Sequence, residues 1–248
     1  MRRSWKGEQM KAKTWKCIVH LKKNTAGKDF VCGDIHGCFD ELEEELIKVQ
    51  FNKSVDRLFC VGDLIDRGPK SELAADYLKN NWFYSVMGNH ENLFLMGNQY
   101  YNPEWRYYLG DYLRNGGRWA YETLPEKSKV LLDSIKNLPL IIRIEDTIIT
   151  HAALPKTESL EEIEKNLRQY MDTLLWYRGK YPPVKIPGIN TVYVGHSIVK
   201  EPKQSDKYIN IDTSAFLKYK GEEGKLTILG LGEGRMDWLF REYSEMRR

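Results

Sequence analysis

Long apolar runs are missing from this chain: no stretch approaches the roughly 18 residues that cross a bilayer, and the N-terminus has no apolar segment of the secretory kind. Cysteine is scarce, and the four present (Cys17, Cys32, Cys38, Cys60) show no CxxC spacing. That argues against a disulfide framework, and three of the four sit in or beside strand-like runs, where cysteine acts as a small buried hydrophobe. No internal repeat, low-complexity tract or linker divides residues 29 to 233. Together these absences predict one cytoplasmic α/β domain with no membrane attachment. Histidine is also rare, with only five residues in the chain.

Against those absences stand 248 residues, 42% of them hydrophobic and 12% aromatic, enough for an enzyme-sized core. The net charge of +3 hides an uneven split. Residues 1–28 carry nine Lys/Arg and a single acid, so the arm is +8 and the remainder −5. A solvated basic arm with a possible first strand (14 to 23) is the plain reading; contact with RNA or anionic lipid is the alternative. Residues 29–233 are expected to form one domain, and 234–248 a C-terminal tail.

Three short apolar runs, DFVCGD, RLFCVGD and FYSVMGN, each stop at glycine and one polar residue. The first precedes a helix with Phe39, Leu42, Leu46 and Val49 at helical spacing and Asp40 and Glu43 placed as a capping box. SELAADYLKNN predicts a second helix with Ser71 as N-cap. Residues 92–137 become helical and aromatic, a cap whose tyrosines and tryptophans serve packing, with stacking on nucleobases as the rival use. A hairpin turning at Glu145 and Asp146, strands in TVYVGHS and KYINIDTS, and KLTILGL follow.

Five apolar runs end in residues able to ligate a metal: Asp34, Asp63, Asn89, His151 and His196, four of them preceded by glycine. Four of the five histidines (His36, His90, His151, His196) fall at or near those ends. A lone histidine after a strand is ordinarily a hydrogen-bonded structural residue, and Gly-Asn is ordinary turn chemistry; the repetition favours a site. Asp, Asn and His without thiolate suit manganese, with iron or zinc as alternatives. Six candidate ligands (Asp34, His36, Asp63, Asn89, His151, His196), one bridging, match two divalent ions about 3.5 to 4 Å apart. Two such ions, two aspartates and a bridging hydroxide sum to about +1, which attracts a phosphate dianion. Asp66 and Arg67 lie just beyond Asp63, where a guanidinium fork can hold phosphate oxygens.

GDIHG (33 to 37), GDLIDRG (62 to 68) and GNHE (88 to 91) resemble the signature blocks of the serine/threonine phosphoprotein phosphatases within the calcineurin-like metallophosphoesterases. The likeness continues through NGGRWA, LPLIIRIEDTIITHAALP, LLWYRG, VYVGHS and INIDTSA, and is nearest to the compact bacteriophage lambda type. It implies a central β-sandwich flanked by helices, with the site on loops at strand ends. It implies one metal on Asp34, His36 and Asp63, a second on Asp63, Asn89, His151 and His196, and direct attack of the bridging hydroxide on the phosphoryl group. By the same resemblance His90 is the general acid, Asp66 pairs with it, and Arg67 and Arg178 hold the phosphate. The flanks of Arg178, Trp-Tyr-Arg, depart from the family's Trp-Asn-Arg or Trp-Ser-Arg. Glu91 matches the block with no chemistry beyond supporting the loop. The expected substrate is a phosphorylated protein or peptide, and the expected state a monomer. The rivals are a diadenosine tetraphosphate hydrolase, which usually departs from DRG and GNHE, and a non-catalytic RNA-binding module.

Overall fold

Residues 15–123 and 125–232 are described by the structure, a computed structural model. The first half of the basic arm and the tail 234–248 lie outside the described residues. The strands are β1 Ile18–Leu21, β2 Asp29–Cys32, β3 Arg57–Cys60, β4 Phe83–Ser85, β5 Ile141–Ile144, β6 Thr147–Thr150, β7 Thr191–Val194, β8 Lys203–Ser205, β9 Tyr208–Asn210 and β10 Ile228–Gly230. The helices are α1 Phe39–Lys48, α2 Ala74–Tyr77, α3 Asn89–Met96, α4 Trp105–Arg114, α5 Trp119–Glu122, α6 Pro125–Ile135, α7 Leu160–Lys165 and α8 Leu167–Trp176. Among the described residues no helix is long and apolar enough to cross a membrane.

The strands form two sheets, β1-β5-β6-β7-β9-β8 and β10-β2-β3-β4. Alternate residues divide between two apolar layers. Val31, Phe59, Ile142, Ile149, Tyr193 and Ile209 meet between the sheets, while Phe30, Leu58, Ile141, Ile148, Val192 and Tyr208 face outward to a second cluster that includes α1 and α8 side chains. Burial on both faces explains why these strands read as continuous apolar runs rather than alternating ones. This is the helix-flanked sandwich that the sequence implies. The strand predicted inside the basic arm is β1, paired in parallel with β5.

Direction matters most for the site. Strands β2, β3 and β4 are mutually parallel, as are β6, β7 and β9. Their C-terminal ends therefore lie along one edge of each sheet, the place where an α/β scaffold presents loop side chains together. Local capping departs from the sequence reading. Helix α1 starts at Phe39 without a side-chain cap. Asp40 instead takes the Lys70 ammonium, and Glu43 those of Lys53 and the Tyr77 hydroxyl. Ser71 does not cap a long helix either; its Oγ accepts the Asp66 N–H at 2.8 Å, and residues 71–73 wind as a tighter 3-10 turn before the single-turn α2.

Candidate active site

Asp63, at the end of β3, sits at the centre. Its Oδ2 lies 3.5 Å from His36 Nε2 and 3.9 Å from His90 Nε2, and its Oδ1 lies 3.5 Å from His151 Nε2. Two donor groups able to hold a cation share it: His36, Asp63 and His90 on one side, Asp63, His151 and His196 on the other. Asn89 joins the second group, with Oδ1 at 2.8 Å from both His151 Nε2 and His196 Nδ1. Asp34 stands outside both groups, its Oδ2 accepting the His196 N–H at 3.1 Å. All of these residues are buried. Asn89 and His90 therefore do not form a surface turn but open helix α3.

The imidazoles are oriented from behind. His36 Nδ1 bonds the Ile65 carbonyl at 2.8 Å and His151 Nδ1 the Val61 carbonyl at 2.9 Å, so each Nδ1 carries the proton and each Nε2 turns a lone pair inward. With the Asn89 amide oxygen turned inward, two lone-pair atoms then face each other at 2.8 Å. That arrangement fits a cation held between them better than a hydrogen bond. His90 Nε2 and His196 Nε2 are buried without a hydrogen-bond partner, which again suits ligands or reacting groups that come from outside the chain. Burial pushes His36 and His151 down, and burial with the neighbouring His151 takes His196 down to about 3; neutral imidazole is the form that ligates. The donor set thus fits divalent ions.

His90 differs from the other three. Burial alone would lower it, but the Asp63 and Asp66 carboxylates outweigh that and hold it above the ordinary histidine range. Its Nδ1 lies 2.7 Å from Asp66 Oδ2. Arg67 is half-buried, with its guanidinium over the Phe216 ring at 4.8 Å and Nη1 3.0 Å from His36 Nε2. Arg178, just beyond α8, is exposed, and its charge reaches His151, His196 and Asp212.

Backbone strain collects here. His36, Asp63, Asp66, Arg67 and His196 all have positive φ, between 48° and 70°, conformations that cost about 1 kcal/mol or more each and cluster at functional sites. A Cβ built at Gly88 would fall 2.1 Å from Asp63 Oδ1, so the glycine before Asn89 is required by the close approach of the central carboxylate.

Sequence reasoning left Glu91 almost without a role, and the structure supplies one. The side chain is fully buried; Oε2 accepts the N–H groups of Asp63 and Gly88, and Oε1 those of Leu64 and Ile65. Burial, with repulsion from Asp63, pushes its carboxyl up to about 8, while the amide N–H groups favour the charged form. One carboxylate therefore ties the loop after β3 to the start of α3. Its signal in sequence was the spacing Gly88 to Glu91, half of a capping box. Asp212, after β9, is a second omission: burial raises it to about 6, against the Ser214 N–H that it accepts, and its charge acts on Asp34. Cys38, beside the first motif, is pushed up to about 12 by burial and is no nucleophile.

Residues 30–221 match the family model described as calcineurin-like phosphoesterase. The chain is 32% identical over 203 residues to serine/threonine-protein phosphatase 2 of Salmonella typhimurium, covering 75% of this chain and 87% of that protein. It is 34% identical over 155 residues to the symmetrical bis(5'-nucleosyl)-tetraphosphatase of Hamiltonella defensa, covering 56% of this chain and 52% of that protein. In three dimensions it is similar to a serine/threonine phosphatase of Saccharomyces cerevisiae, with a TM-score of 0.60 at 21% identity over 85% of this chain and 75% of that one, a likeness of fold.

Proposed function

We propose that this chain, which belongs to the calcineurin-like phosphoesterase family, is a serine/threonine protein phosphatase. As a member it is a metal-dependent hydrolase of phosphoesters; the finer reading concerns the leaving group and the residues that serve it. Asp34, His36 and Asp63 would hold one divalent ion, and Asp63, Asn89, His151 and His196 the other, with manganese preferred to iron or zinc for this oxygen and imidazole set. When bound, the pair supplies a water acidic enough to attack phosphorus at neutral pH and neutralises phosphoryl oxygens.

The chain's own residues do the rest. Arg67, held by Phe216, offers a guanidinium fork to phosphoryl oxygens, and Arg178 offers a second from the open side. His90, kept cationic by Asp63 and Asp66, donates its Nε2 proton to the ester oxygen as the P–O bond breaks. The bond from His90 Nδ1 to Asp66 at 2.7 Å carries this reading, because it leaves Nε2 as the free, inward-facing acid. A serine or threonine alkoxide is a poor leaving group and needs that proton. The substrate is then a phosphorylated protein or peptide, met by a monomer in the cytoplasm. The likeness to the dinucleotide hydrolase supports that activity as the second reading. Turnover of p-nitrophenyl phosphate with added manganese tests the reading; a folded, metal-loaded sample without activity would favour a binding module instead.

A further inference from the structure

The geometry points to Trp119, in the helical cap, as a positioning residue for proton donation by His90, acting through Asp66. The inference rests on the reading of His90 as the general acid.

Asp66 is fully buried, and both of its oxygens are engaged. Oδ2 meets His90 Nδ1, while Oδ1 accepts the Trp119 Nε1–H at 2.7 Å and the Tyr112 O–H at 3.4 Å. The main chain of Asp66 is pinned too, by the bond from its N–H to Ser71 Oγ. A carboxylate bonded only through Oδ2 is free to rotate about its terminal torsion, which is broad and two-fold. The indole removes that freedom: it is rigid, carries a single donor, and fixes the plane in which Oδ2 faces the imidazole.

The turn that brings Trp119 to this place is built against the same loop. A Cβ at Gly116 would lie 3.1 Å from Arg67 N and 3.5 Å from Asp66 Cβ, so the turn is seated directly on the Asp66–Arg67 corner. A Cβ at Gly117 would fall 2.2 Å from Tyr112 Cζ; only glycine lets the Tyr112 ring pass under the turn and bring its hydroxyl to Asp66. Tyr112 is itself buried, at 1% exposure, and packs edge-on against Phe94 at 5.9 Å. Two aromatic donors from α4 and α5 therefore converge on one oxygen of one carboxylate.

The role is separable from simple packing by leaving-group dependence. In Trp119→Phe the ring stays and the donor goes. Turnover of a phosphothreonine peptide is expected to fall about 10-fold, the effect of losing a hydrogen bond to a charged group. Turnover of 2,4-dinitrophenyl phosphate, whose phenolate leaves unprotonated, is expected to stay within about 2-fold. Metal content and inhibition by inorganic phosphate should match the unaltered protein. In an Asp66→Asn background the Trp119→Phe effect should vanish, because the two act as one unit. Equal losses on both substrates, or the same loss in the Asp66→Asn background, would overturn the inference and leave Trp119 a packing residue. His90→Asn separates the two levels. If it shows no leaving-group dependence, the acid assignment itself fails; if it does and Trp119→Phe does not, only the positioning role fails.

Discussion

His90 and His151 both face Asp63, yet their second nitrogens meet different partners: His90 the Asp66 carboxylate, His151 the Val61 carbonyl. A carboxylate stabilises the cation and a carbonyl only fixes a tautomer, so the first becomes an acid and the second a ligand. His90→Asn should therefore cut turnover of phosphothreonine substrates by about 100-fold or more while leaving the metal-to-protein ratio unchanged in elemental analysis. Loss of an ion would place His90 among the ligands. Glu91→Gln tests the other buried acid. An amide replaces one acceptor oxygen by a donor, so above pH 8, where the carboxylate is charged, two of the four backbone N–H groups lose their partner, and stability in urea at about pH 9 should fall by about 3 kcal/mol. An unchanged midpoint would show that Glu91 is neutral. Asp212 gives the pH-dependent case. Its folded value of about 6 exceeds the ordinary 3.8, so in chelated protein its contribution is intact below pH 4 and is lost as pH rises through 6. The variant Asp212→Asn should gain on the unaltered protein by about 3 kcal/mol between those limits, read from urea unfolding at pH 4 and 7.

Strands β2, β3 and β4 were legible because they are short, apolar and each followed closely by glycine and a polar residue, whereas helices α7 and α8 and the polar strand β8 were not read from the sequence. The sandwich faces were less legible: with burial on both sides, DFVC and RLFC carry no alternation to say which residue meets the opposite sheet. The caps misled for a related reason. Asp40, Glu43 and Ser71 have the right spacing for local capping, but Asp40 and Glu43 took partners further along the chain and Ser71 took the buried Asp66 N–H five residues before it, and such bonds outcompete a cap when the partner is charged or buried. Glu91 was illegible for the same cause, since three of the four N–H groups it accepts lie 26 to 28 residues away in the chain. At the junction of β4 and α3, Gly88→Ala should push Asp63 aside. A loss of about 2 kcal/mol in stability and at least 10-fold in activity is expected, with weakened metal retention on dialysis. Full activity in that variant would mean that the loop relaxes freely.

Across the whole molecule, two parallel strand triplets from different sheets aim their ends at one place, and that convergence is what joins Asp63 and Asn89 to His151 and His196. The five strand-end residues were readable as a set from the sequence, and the family resemblance implied their grouping; the structure brings Asp63, Asn89, His151 and His196 together and leaves Asp34 apart. His90 lies within the first donor group and Asp34 outside both; the first group comes from the segments after β2, β3 and β4 of one sheet, and only the second draws on both sheets. The helical cap likewise reads as packing until Tyr112 and Trp119 are seen to reach Asp66. What the assembled site should prefer is an ester whose oxygen needs a proton. The decisive comparison is turnover of a phosphothreonine peptide, a phosphotyrosine peptide and diadenosine tetraphosphate by the manganese-loaded protein under one set of conditions. Fastest cleavage of the phosphothreonine peptide is the expected result; dominant cleavage of the dinucleotide would contradict it.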